Sequence, residues 1–147
     1  MDYTEMNRRL EALTDGVRYT VANLANAAAL LYGTLEDINW AGFYLAYGEK
    51  LILGPFQGKP ACIEIPFGKG VCGTAVSLGQ IQQVPDVHKF PGHIACDPDS
   101  RSELVIPLYR DGVLFGVMDI DSPSPNRFSP MDCSQLERFA HILEKAL

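Results

Sequence analysis

"SELVIPLYRDGVLFGVMDIDS", Ser102 to Ser122, is the stretch that decides how this chain folds. Two runs rich in aliphatic and β-branched residues flank Arg110-Asp111-Gly112, and Asp-Gly between such runs is a strong hairpin signal. The segment is therefore predicted as two antiparallel strands. The turn sets their register. A two-residue turn at Asp111-Gly112 sets Tyr109 against Leu114 and Glu103 against Ile120. A three-residue loop with Gly112 in the left-handed region sets Glu103 against Asp119. Asp119 and Asp121, two apart on one strand, point the same way, so the second register gathers three carboxylates on one face. Like charges facing each other are unfavourable in a sheet and raise at least one carboxyl pKa. Such a cluster is either a solvated strand end or a place for a cation, a metal or a proton donor; spacing alone leaves both readings open.

Outward from the hairpin, "DINWAGFYLAYG" (Asp37 to Gly48) is apolar on both faces, as a central strand requires. "KLILGPF" and "CIEIPFG" are short strands bounded by Gly and Pro. "GKGVCGTAVSLG" is predicted as a glycine loop feeding a short helix over Val71 to Leu78, with exposed N–H groups at Cys72. At the N-terminus, Met6, Leu10, Leu13, Val17, Val21, Leu24, Ala28 and Leu31 recur in steps of three or four along a helical face, with Gly33 expected as the C′ residue and Gly16 offering a split. Ser129-Pro130-Met131-Asp132 is an N-cap, an N1 proline and an acid at N3, opening a last helix with Leu136, Phe139, Ala140 and Leu143 on one face. The order implies an α+β fold, residues 1–147 as a single domain, with a mostly antiparallel sheet and helices packed on one side.

The chain has 147 residues, 47% of them hydrophobic, enough for one core. Twelve basic against 18 acidic residues give a net charge of −6 with no Lys/Arg stripe, which excludes nucleic acid as a partner. No stretch is long and apolar enough for a membrane span and no signal peptide is evident, so the expected setting is cytoplasmic, with no membrane partner. The sequence leaves oligomeric state open, a homodimer included.

Four cysteines, Cys62, Cys72, Cys96 and Cys133, are expected as reduced thiols in that setting. No two of them form a C-x₂₋₄-C pair, so no structural zinc site, and no metal, is expected. Cys96 stands out. It sits in "FPGHIACDPDSRSE" (Phe90 to Glu103), among turn residues where a cysteine that merely fills a core does not belong. Cys133 lies among polar neighbours and reads as incidental, and Cys62 reads as an ordinary strand residue. Trp40 and Tyr44 share a strand face, where most aromatics are core. His88 and His93 flank the Cys96 loop and read as loop histidines.

"DINWAGFYL", "LGPFQGK", "GVCGTA", "DVH", "GHIACD", Ser102-Glu103 and "GVMDIDS" together resemble the free methionine-(R)-sulfoxide reductases, enzymes built on a GAF domain. The resemblance spans Ala29 to Leu143. It implies a GAF fold, with a central antiparallel sheet, the N- and C-terminal helices on one face and a ligand pocket on the other. It also implies roles. Cys96 matches the catalytic cysteine, Cys62 the principal resolving cysteine and Cys72 a second cysteine able to join the exchange. Glu103, Asp119 and Asp121 match the carboxylates that hold substrate, and Trp40 and Tyr44 its hydrophobic wall. Cys133 matches no motif cysteine.

The resemblance thus implies reduction of free L-methionine-(R)-sulfoxide through a sulfenic acid at Cys96, resolved as an intramolecular disulfide. It implies no bound cofactor, and an external dithiol, thioredoxin, as reductant. Asp121 is the expected proton donor to the departing oxygen. The alternative is a non-catalytic GAF ligand sensor or a thiol redox sensor, which in a chain of this length would lack room for an output domain.

Overall fold

The computed structural model describes residues 2–94 and 96–147. The N-terminal periodicity resolves into two helices, α1 (Tyr3–Thr14) and α2 (Thr20–Thr34), parted at Gly16, whose φ of +69° suits glycine. Gly33 does not close α2. The helix runs on to Thr34, and the Leu35 N–H donates to Leu31 C=O at 2.9 Å, because Leu30, Leu31 and Leu35 are all buried and hold the last turn down. Leu13 and Val21, expected on the buried face, are 39% and 68% exposed: the break at Gly16 resets the phase, and α2 buries Asn23, Leu24, Ala27 and Ala28 instead.

The strands are β1 (Trp40–Tyr47), β2 (Lys50–Gly58), β3 (Glu64–Pro66), β4 (Gln82–Val84), β5 (Ser102–Arg110) and β6 (Val113–Ser122). They form one antiparallel sheet in the order β3-β2-β1-β6-β5-β4. Helix α3 (Gly70–Leu78) links β3 to β4, and α4 (Pro130–Glu144) closes the chain. As the sequence pattern requires, β1 is central, between β2 and β6. Cys62 precedes β3 instead of lying within it, since the strand starts only at Glu64. α4 opens with the expected capping box, Ser129 and Asp132 each bonding the other's backbone N–H. The Tyr3 hydroxyl also donates to Asp132, tying α1 to that end of α4.

The hairpin follows neither predicted register throughout. Asp111 and Gly112 both have positive φ, 53° and 77°, a tight two-residue turn, and Tyr109 faces Leu114 as that turn demands. A bulge then intervenes. Leu108 pairs with Gly116, leaving Phe115 unmatched, and beyond it Glu103 faces Asp121, with Asp119 opposite Val105. The one extra residue moves Glu103 from the Ile120 position to the Asp121 position. The three carboxylates therefore share a face after all.

The two faces of the sheet carry separate cores. One packs Phe43, Leu104, Ile106, Leu108, Met118 and Ile120 against Leu10, Leu24, Leu31, Leu136 and Phe139 of α1, α2 and α4. Each large apolar side chain so buried contributes roughly 1.5–3 kcal/mol. The other packs Trp40, Tyr44, Val105 and Val117 against Val71, Cys72 and Ala75 of α3. Among the described residues no helix is long and apolar enough to cross a membrane.

Candidate active site

Strand parity builds the floor of the site. Asp119 and Asp121 of β6 and Glu103 of β5 project from the α3 side of the sheet into one cavity of about 40 Å³. Glu103 and Asp119 are 8% and 4% exposed; Asp121 is half-buried. The Oδ1 atoms of Asp119 and Asp121 are buried without a hydrogen-bond partner among the described residues. Burial pushes the pKa of Glu103 and of Asp121 well up, and the charge of Asp119 pushes each further. Burial raises Asp119 as well, against hydrogen bonds from Glu103, Cys72 and Asp121 that favour its ionised form. Burial thus biases all three carboxyls toward their protonated forms.

Cys72 enters from the first turn of α3. Its Sγ lies 3.4 Å from Asp119 Oδ2 and 3.9 Å from Glu103 Oε2, donating to these carboxylates. Burial, and then the charges of Asp119 and Glu103, hold this thiol well above its usual range. Gly73 lets α3 lie against the end of β3: a Cβ there would come within 2.6 Å of the Pro66 carbonyl oxygen. The amides of Gly70, Val71 and Cys72 are N-terminal donors of a helix that the cavity meets end-on.

Trp40 and Tyr44 form one wall, their rings stacked at 5.8 Å, with Phe56 also stacked on Trp40 at 5.1 Å. Both polar tips hold the segment leading to β3. Trp40 Nε1–H donates to the Lys59 carbonyl at 3.2 Å and the Tyr44 hydroxyl to the Cys62 carbonyl at 3.1 Å.

Cys62 and Cys96 are joined as a disulfide at the mouth of the cavity, their Cα atoms 5.4 Å apart across a sequence separation of 34. The expectation of reduced thiols fails for this pair, because the fold brings two loops together that nothing local in the sequence relates. Cys72 and Cys133 are free thiols; Cys133 is half-buried in α4 and does not line the cavity. The Cys96 loop is fastened beside the site by Asn39 Nδ2, which donates to Asp97 Oδ2 and Ser100 Oγ at 3.2 Å each, and by the exposed Lys59–Asp99 ion pair at 2.8 Å.

Every residue singled out from the sequence as a site candidate, Trp40, Tyr44, Cys62, Cys72, Cys96, Glu103, Asp119 and Asp121, lies in or at this one cavity. The sequence reading missed His93, which lines it with a pKa lowered by burial and by His88, and Asp97 and Ser100. Their signal was available in the stretch that carries Cys96. Chemically, the arrangement is a disulfide-bonded cysteine pair over an acidic floor that burial biases toward protonation, with an aromatic wall and helix-terminus amides on the sides.

Comparison with known proteins places this geometry. Residues 7–147 match the GAF domain family. The chain is 52% identical to the free methionine-R-sulfoxide reductase of Escherichia coli over 145 residues, 99% of this chain and 88% of that protein. The reduced form of the Staphylococcus aureus fRMsr superposes with a TM-score of 0.97 at 50% identity, covering 99% and 95% of the two chains. The Neisseria meningitidis free methionine-R-sulfoxide reductase in complex with its substrate gives 0.94 at 44% identity, covering 98% and 87%. The chain belongs to the GAF-domain family and, within it, to the free methionine-R-sulfoxide reductases.

Proposed function

We propose that this protein reduces free L-methionine-(R)-sulfoxide to L-methionine. The observation that carries the reading is the Cys62–Cys96 disulfide set beside the Glu103–Asp119–Asp121 floor, since it joins a two-electron carrier to a site for an ammonium-bearing, proton-demanding substrate. A ligand sensor has no use for a disulfide across the mouth of its pocket.

Free methionine sulfoxide offers an ammonium, a carboxylate, an S=O and a methyl group. Glu103 and Asp119 take the ammonium, the Gly70 to Cys72 amides the carboxylate, and Trp40 with Tyr44 the methyl. The Cys96 thiolate attacks the sulfoxide sulfur while Asp121, whose protonated form burial favours, delivers its proton to the oxygen. Methionine leaves and Cys96 carries a sulfenic acid. The Cys62 thiol attacks that sulfur, water departs and the disulfide seen in the structure results. An external dithiol, thioredoxin, then restores both thiols and is itself oxidised to a disulfide. Cys72 is a second thiol in the same cavity, but as the neighbour of two carboxylates it is the slower partner in exchange.

The decisive test incubates the protein and dithiothreitol with free L-methionine-(R)-sulfoxide, its (S) epimer and an N-acetylated, amidated analogue, and measures the reduced product. Strong activity on the first alone is expected, because a blocked residue leaves buried carboxylates unpaired, at ~3 kcal/mol or more, over a hundredfold in rate. Comparable kcat/KM for the blocked analogue overturns the assignment of the floor. Cys96→Ser should abolish even a single turnover. Cys62→Ser should release about one methionine per protein and then stall with thioredoxin; loss of that first turnover reverses the two roles.

A further inference from the structure

The cysteine spacing disfavours a structural zinc site, but the fold assembles a donor set that the sequence does not announce. Cys72, Glu103 and Asp119 come from α3, β5 and β6, and one ligand atom from each lies within 4.8 Å of the other two. Zinc binds thiolate sulfur at about 2.3 Å and carboxylate oxygen at about 2.0–2.2 Å, so a tetrahedral ion holds sulfur and oxygen about 3.6 Å apart. The two sulfur–oxygen separations here are 3.4 and 3.9 Å. A second observation points inward as well: Asp119, 4% exposed, has an Oδ1 atom with no partner, on the wall of the same cavity.

We infer that the oxidised protein, with Cys62 and Cys96 joined, binds one borderline divalent cation of the zinc type through Cys72, Glu103 and Asp119. Thiolate beside carboxylates suits zinc better than magnesium or calcium, which take oxygen alone. On binding, the Cys72 thiol proton leaves to solvent and the metal–sulfur bond takes its place; no electron moves. Three protein ligands leave the fourth position to water or Asp121. The ion lies where the proposed function puts the substrate ammonium, so on that reading zinc and free methionine sulfoxide exclude one another.

The test uses the full chain in its disulfide form, in which only Cys72 and Cys133 remain as thiols, and needs no turnover. Zn²⁺ alone is titrated calorimetrically, and Cd²⁺ alone is followed through its thiolate charge-transfer band. One equivalent is expected in the wild type and in Cys133→Ser, with affinity at least about tenfold weaker in Cys72→Ser and in Asp119→Asn. Asp119→Asn keeps the thiol, so it reports on the site even if Cys72→Ser misfolds; melting curves of both establish folding. Undiminished binding in folded Cys72→Ser, a cadmium band that disappears with Cys133, or no saturable binding overturns the site. None of those outcomes touches the reductase reading, which the activity assay tests separately.

Discussion

The same strands present two very different faces. Toward α1, α2 and α4, β5 and β6 offer Leu104, Ile106, Leu108, Met118 and Ile120, fully or almost fully buried and without a charge among them. Toward α3, alternate residues of the same strands are Glu103, Val105, Val117, Asp119 and Asp121, where acids meet acids and two carboxylate oxygens stay unpartnered. Period-two alternation lets a single sheet be optimised for stability on one side and held in a strained electrostatic arrangement on the other. The helix side makes that arrangement tolerable.

The sharpest way to break this division is from the helix side. Phe43→Ala empties a fully buried position and should destabilise the fold by about 3–5 kcal/mol, while activity per folded molecule stays near wild type. Denaturant unfolding and active-site titration measure the two separately. A fall in kcat of the folded fraction matching the stability loss would mean the faces are not independent. From the pocket side the signs should oppose. Glu103→Gln removes one of the facing acids, so kcat/KM for free methionine sulfoxide should drop about a hundredfold while stability at neutral pH rises by about 1 kcal/mol.

The pH dependence sharpens the same contrast. Glu103, Asp119 and Asp121 have pKa values raised on folding, so above about pH 4 the unfolded chain ionises while the native cluster still holds protons. The contribution of the cluster to stability must therefore fall as pH rises from about 4 through the raised values. Melting temperatures of the ligand-free protein between pH 5 and 8 should decline, less steeply in Asp121→Asn. An equal slope in that variant removes Asp121 from the proton store. Smallest is Tyr44→Phe, which keeps the aromatic wall but loses the bond to the Cys62 carbonyl, about 1 kcal/mol. Disulfide formation at Cys62 should slow severalfold in rapid-quench experiments, with the first release of methionine unchanged.

Much of the fold was legible because it is written locally. The capping box of α4, the Asp111-Gly112 turn and the shared face of Asp119 and Asp121 depend on residues within a few positions of one another. Other features are relational. The sequence "QQV" has no alternation to mark β4, which exists because β5 offers it an edge. Gly33 reads as a stop signal until the burial of Leu35 is known. The approach of Cys62 to Cys96 and of Cys72 to Glu103 depends on the closure of the whole sheet. His93 looked ordinary because the stretch it shares with Cys96 does not tell which way the loop turns.

The bulge at Phe115 keeps the site in phase. β6 has ten residues against nine in β5, and the surplus one sits near the exposed end of the hairpin, beyond any contact with the cavity. Were the same residues paired without that bulge, every pair beyond Tyr109 and Leu114 would slip by one and Glu103 would lie across from Ile120, among the helices. The turn, the cysteines and every acid would be the same. What would vanish is the coincidence of phase that makes three of those acids a site, so this family's hairpins should be compared by where the ladder slips before they are compared by residue.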